Sequence, residues 1–364
     1  MKKKILMLFN SLLLIVACSS SDVSVDDDSP SGINTGGGGS IAETATDGWL
    51  VPVAEVRDGG PGKDGIPSID NPQFSTVNDI ATGSDDLLVI GFKVGNETRA
   101  YPHFILDWHE IVNDNINGTS IAVSLCPLTG TSIGWSRKVN GNETSFGVSG
   151  LLYNNNLIPY DRATDSNWSQ VGLKCINGSL IGEKPDVIPV LETTWGVWKS
   201  MYPNTKIMNT NTGFSRSYGV YPYGDYKTNH GYLIFPLDPE DSRLPSKERV
   251  HAIIDDDKVK AYQFNVFGSG NTIKDVFGGK EILLVGDATT IVSFELDSGT
   301  NSLEFEYAFN GSEAFFTDNE GTVWNVFGEA ISGPRTGSQL KPTVSFIAYW
   351  FSIGAFYPDA EIYN

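Results

Sequence analysis

Short β-prone runs broken by Gly and Asn turns set the pattern of the chain from about residue 86 onward. Gly91-Phe92-Lys93-Val94, a turn at Gly95-Asn96 and the run 98–101 form a predicted hairpin. Asn117-Gly118 and Asn140-Gly141 are hairpin-type turns, and 120–125 is a further strand. Pro102 can open a helix, and Phe104, Ile105, Trp108, Ile111 and Val112 follow at helical spacing, which predicts a helix over 102–113. Trp195, Trp198 and Met201 at i, i+3 and i+6 predict a second helix that stops at Pro203.

The pattern occurs twice. Arg99-Ala100-Tyr101 returns as Lys260-Ala261-Tyr262, Val112-Asn113-Asp114 as Ile273-Lys274-Asp275, and Ile121-Ala122-Val123 as Ile282-Leu283-Leu284, all at a spacing of 161. Trp168-Ser169-Gln170-Val171-Gly172 returns as Trp324-Asn325-Val326-Phe327-Gly328 at 156, and Trp195 with Tyr202-Pro203 as Trp350 with Tyr357-Pro358 at 155. Matches that keep their order while the spacing drifts are what loop insertions within a duplicated unit produce. The expected fold is therefore α+β and β-rich, with two tandem copies of a strand, helix, multistrand and helix unit. The first copy with its N-terminal extension covers 48–208 and the second 248–364, joined by an aromatic connector over 209–247 with five tyrosines between 218 and 232.

The N-terminus changes the picture of where the chain sits. Met1-Lys2-Lys3-Lys4 and the apolar run 5–16 form a signal-peptide pattern too short for a permanent membrane helix. It ends Ile15-Val16-Ala17-Cys18, which resembles a lipobox whose cysteine is diacylated, for instance with palmitate, and becomes the new N-terminus. An ordinary cleaved signal is the other reading. Residues 1–18 are thus a lipoprotein signal peptide, and the Ser/Asp/Gly-rich segment 19–47 is a flexible linker. The expected location is the bacterial cell envelope, lipid-anchored in the outer membrane. Loss of three lysines takes the net charge from −19 to −22, and so acidic a body repels phosphate backbones, which argues against a nucleic-acid partner.

Candidate chemistry concentrates in 101–131, where His109, Glu110 and Cys126 fall in one helix-then-strand unit. A thiolate is both a nucleophile and a soft metal ligand, and an imidazole beside it can lower its pKa or share the metal. His109 and Cys126 are the expected metal pair, with copper as the candidate ion, and His109, Glu110 and Cys126 the expected catalytic group. Glu110 can act as a base or orient His109; the plainer readings are a capping or packing histidine, a solvated or capping carboxylate, and a buried cysteine or one half of a Cys126–Cys175 disulfide. In the second copy these positions fall near Gly270 and Asp287, so only the first can carry the pair. A second cluster at 160–170 sets Asp161, Arg162 and Trp168 on a turn suited to a glycan, peptide or protein ligand, in which case the chain is a non-catalytic binding module. His103, His230 and His251 form no metal-binding pattern.

DGIPSIDNP at 64–72, RAYPHFILDWHEIVND at 99–114, CPLTGT at 126–131, FGVSGLLYNNNLIPYDRATDSNWSQ at 146–170 and the TW…W…YP element at 194–203 resemble the bacterial and archaeal domain-of-unknown-function family 3179 over about 58–364. The resemblance implies no settled activity. That family often carries Cys-Pro-Leu-Cys where this chain has Thr129 at the second cysteine position, which argues against a dithiol centre and leaves a single thiol.

Overall fold

The architecture comes from a computed structural model that describes residues 41–79 and 84–364. The expected signal peptide, Cys18 and most of the linker lie outside these residues. Within them, strands take 41% of the chain and helices only 9%, so the fold is β-rich and the expected α+β class is corrected. The strand-helix unit fails for a local reason. The first helix, α1 (His103–His109), is two turns long and ends where Ile111 and Val112 were expected to continue it. Those β-branched residues instead enter a strand, Ile111–Ile116, that pairs with Thr119–Cys126. In the second half, a three-residue 3-10 turn, Phe264–Val266, stands at the position of α1. The two other helices are α2 (Trp195–Met201) and α3 (Trp350–Phe356), and no described helix is long and apolar enough to cross a membrane.

What recurs is the sheet pairing. In the first half Leu191–Thr194, Leu88–Val94, Glu97–Pro102 and Lys206–Met208 lie side by side, and the last pair is parallel. In the second half Ser345–Tyr349, Arg249–Asp255, Lys258–Gln263 and Glu361–Ile362 adopt the same order, again with a parallel last pair. Equivalent side chains brace both. Tyr101 donates to Asp114 at 2.7 Å and Tyr262 to Asp275 at 2.8 Å. The buried Trp168 and Trp324 indoles donate to Asp161 at 3.1 Å and Asp318 at 3.0 Å.

The strand that ends at Cys126 runs into an apolar cluster drawn from both halves, where Leu128, Trp135 and Trp168 share one core with Val250, Phe346 and Trp350. The CPLTGT segment makes the contact. Gly130 has φ +60°, and a Cβ there would sit 2.8 Å from the Tyr349 ring, so only glycine allows the approach. The Tyr349 amide meets the Thr129 carbonyl at 2.7 Å.

Candidate functional site

Pro102, in the extended region, starts α1, and Glu110 ends it at φ +59° and ψ −36°. A non-glycine residue held there stores on the order of 1–3 kcal/mol of backbone strain. The strain reverses the chain from helix into strand: the Glu110 amide still reaches the Leu106 carbonyl at 2.7 Å, while its own carbonyl accepts from Leu125 at 2.8 Å. Glu110 therefore lies across from the Leu125-Cys126 end of the neighbouring strand.

Glu110 is only 6% exposed, and its carboxyl makes no hydrogen bond or ion pair among the described residues. Burial alone pushes it up to about 8. Cys126 is buried as well, with Sγ 3.6 Å from the Asn155 carbonyl. Burial and then the nearby Glu110 push the thiol up to about 11 against contacts from Thr129 and Leu157. Tyr221, Tyr223 and Tyr226 of the connector, and Tyr349, stand within electrostatic reach of the sulfur; burial above all raises each phenol, with Arg249 opposing it at Tyr349. The Tyr226 hydroxyl is fully buried and has no hydrogen-bond partner among the described residues. Among the described residues the Glu110 carboxyl and the Tyr226 hydroxyl both lack a hydrogen-bond partner, which is uncommon for buried polar groups.

α1 fastens the connector over this group. Asp107 pairs with Lys227 at 3.0 Å, and the Trp108 indole donates to the Val220 carbonyl at 3.2 Å. His109 Nδ1 meets the Pro67 carbonyl at 2.7 Å and Nε2 the Tyr218 hydroxyl at 2.6 Å. Burial lowers the His109 imidazole, so it is neutral near pH 7: Nδ1 donates to the carbonyl and Nε2 accepts from Tyr218. Tyr221 donates to the Pro127 carbonyl at 3.1 Å.

Of the expected catalytic group, Glu110 is tied through its backbone to Leu125, next to Cys126, while His109 turns its ring nitrogens to Pro67 and to Tyr218 of the connector. Among the described residues no three His, Cys, Asp or Glu side chains gather as a metal site. Cys126 and Cys175 are free thiols, and Cys175 is a core residue. Thr129 uses its hydroxyl in a buried network, bonding Thr131 at 2.9 Å and accepting from Asn156 at 3.0 Å, while Asn156 also donates to Gln170 at 2.8 Å. In the second cluster, Asp161 accepts from Trp168 and from Thr164 at 2.7 Å, and Trp168 is core. The Arg162 guanidinium grips Asp70 at 3.0 Å and Ser68 at 2.8 Å, bracing the 64–72 segment.

One buried charge cluster carries no short-range sequence signal. Glu192 takes the Ser132 hydroxyl at 2.5 Å, pairs with Arg249 from the second half, and lies 3.4 Å from His103. Burial pushes the Glu192 carboxyl up, but the neighbouring His103 and Arg249 override it and hold it at about 2. Its members are separated by up to 146 positions, so only the pairing of the halves reveals them.

The family profile described as "Protein of unknown function (DUF3179)" matches residues 63–360. Neither the curated proteins nor the solved structures contain a match to this chain.

Proposed function

For a chain that belongs to the DUF3179 family, whose description names no activity, we propose a role in thiol chemistry at Cys126, with Glu110 as the group that handles the proton. One observation carries the reading: a strained, buried carboxyl with no partner among the described residues belongs to the residue whose carbonyl accepts the Leu125 amide, next in the chain to the buried Cys126 thiol. Purely structural carboxylates are buried with partners, and strain of this kind is retained where it orients a working side chain. In the closed state both groups are protonated, so the thiol is stored in its inert form. The lipobox pattern ending at Cys18 supports a place for this chemistry in the cell envelope, on a diacyl anchor at the outer membrane.

Methyl methanethiosulfonate, small enough to enter a closed site, tests the reading. Peptide mapping of the folded protein is expected to find Cys126 modified while Cys175 remains free. Modification of both cysteines only at the rate of global unfolding would refute it.

A further inference from the structure

The edge strands Leu191–Thr194 and Ser345–Tyr349 hold equivalent places in the two halves, and both line a crevice of about 60 Å³ together with the strand Ile291–Leu296. The Thr193 and Thr290 hydroxyls meet across the same seam at 2.6 Å. Polar side chains reach the crevice from both sides: Ser132 and Glu192 from the first half, and His251, Ser293, Thr343 and Ser345 from the second. Except for the half-buried Ser345, each of these is at most 8% exposed. Val190, Phe294 and Phe327 supply apolar wall, and the exposed Pro189, also in the lining, puts one side of the crevice at the surface. The space has room for about four waters, or for a molecule of about four to six heavy atoms. Binding sites of this kind, apolar walls with a few convergent polar groups, favour the interface between two structural units.

The hydroxyls in this crevice still have hydrogen-bonding capacity, because each carries one donor and two acceptor sites. Ser132 spends its proton on Glu192 at 2.5 Å and keeps an acceptor site. Ser293 Oγ lies 2.7 Å from His251 Nε2, 2.6 Å from the Thr343 hydroxyl and 3.3 Å from that of Ser345, which accepts there and keeps its own O–H to donate. An acceptor from one half and a donor from the other, with hydrocarbon between them, complement an uncharged molecule that carries hydroxyls on neighbouring carbons. An anion would meet the Glu192 carboxylate, and an ammonium would have to compete with Arg249, which already pairs with it. Burial lowers the His251 imidazole to about 3, and Glu192 is held at about 2, so neither is suited to move a proton near neutral pH and both are suited to hold a ligand. We infer that this crevice binds a small uncharged polyol of two or three carbons, the glycerol class, held between Ser132 and the Ser293–Ser345 pair and so bridging the two halves. The site is separate from Cys126 and does not depend on the thiol reading.

Four probes of similar size separate hydroxyl recognition from charge and from simple access: glycerol, 1-propanol, glycolate (anionic) and ethanolamine (cationic). Binding to the full chain is followed by ligand-observed NMR titration. Glycerol is expected to bind saturably with a Kd on the order of 1 mM or below, within what six heavy atoms allow. Each of the other three is expected to bind at least about fivefold more weakly, the loss of about one hydrogen bond. Ser293→Ala should weaken glycerol by a similar factor, and Ser345→Leu, which removes the free donor and narrows the crevice at a half-buried position, should abolish binding while circular dichroism shows the fold retained. Absence of saturable glycerol binding, binding of 1-propanol, glycolate or ethanolamine as tight as that of glycerol, or glycerol binding unchanged in both variants overturns the inference. The probe series on the unmodified protein decides the matter even if a variant does not fold.

Discussion

The Glu110 carbonyl accepts the Leu125 amide at 2.8 Å, one residue from Cys126. A single backbone hydrogen bond thus ties the strained end of α1 to the end of the thiol strand. It follows that Glu110 cannot relax its backbone without disturbing the position of Cys126, so strain, burial and proximity to the thiol are one arrangement.

That arrangement predicts an unusual pH dependence of stability. The folded-state value for Glu110 is raised, from 4.5 to about 8, by burial. Below 4.5 the group is protonated in both states and carries no penalty. As pH rises from 4.5 to 8 the unfolded chain ionises first, and stability falls by an amount on the order of a few kcal/mol. Glu110→Gln should therefore unfold at higher urea than the parent at pH 9 and nearly the same urea at pH 4. Glu110→Gly should gain about 1 kcal/mol more at both pH values by releasing the positive-φ strain. Parallel urea curves for parent and Glu110→Gln across this range would show that the carboxyl is not isolated.

The Glu192 cluster acts in the opposite direction. Its carboxyl is held at about 2 in the fold against 4.5 unfolded, so its stabilisation is present above 4.5 and is lost as pH falls toward 2. Arg249→Met takes the guanidinium away from a buried carboxylate and should cost about 3 kcal/mol at pH 7. The double variant Arg249→Met/Glu192→Gln should recover a substantial part of that loss, because no charge is left unpaired. A double-mutant cycle by chemical unfolding measures the coupling, and simple additivity would mean that the two halves are not held by this pair.

How far the sequence could be read depended on the range of the interaction. The hairpin turn at Asn117-Gly118 follows from local chemistry, and both residues adopt positive φ as such a turn requires. The Trp195 helix and its stop before Pro203 follow from spacing, and the structure adds a Thr194 cap whose side chain accepts the Val197 amide. The length of α1 did not follow, because Ile111 and Val112 suit either period and pairing with Val123 and Ser124 decided for strand. At the site, Cys126 and Glu110 could be named as candidates from reactivity, but the turning of His109 to Pro67 and Tyr218 depended on contacts 42 and 109 positions away. Arg162 read as a ligand contact because its partners, Asp70 and Ser68, lie more than 90 positions away.

Anchoring makes a separate prediction about the first 18 residues. If Cys18 is lipidated, Cys18→Ala should move the protein from the detergent phase to the aqueous phase in a phase-separation assay, or leave it unprocessed at the membrane. The mature N-terminus of the parent should carry the mass of a diacylglyceryl group. Unchanged partitioning together with an unmodified N-terminus would remove the anchor from the proposal.

The connector latch sets the rate at which Cys126 is reached. Neutral His109 accepts from Tyr218 at 2.6 Å, and this bond, with Asp107–Lys227 and Trp108–Val220, holds the tyrosine cover to α1. Tyr218→Phe removes the donor and leaves the buried His109 Nε2 unpaired, at about 1–2 kcal/mol, which corresponds to a roughly 5- to 30-fold larger open population. Labelling of Cys126 by methyl methanethiosulfonate should accelerate by that factor, while Cys175, held in the core away from the latch, should keep its parent rate. Lys227→Met should act in the same direction by leaving Asp107 without its cation. Acceleration at both cysteines would indicate general loosening of the fold, and no acceleration at Cys126 would show that reagents reach the thiol by a route that does not pass under the connector.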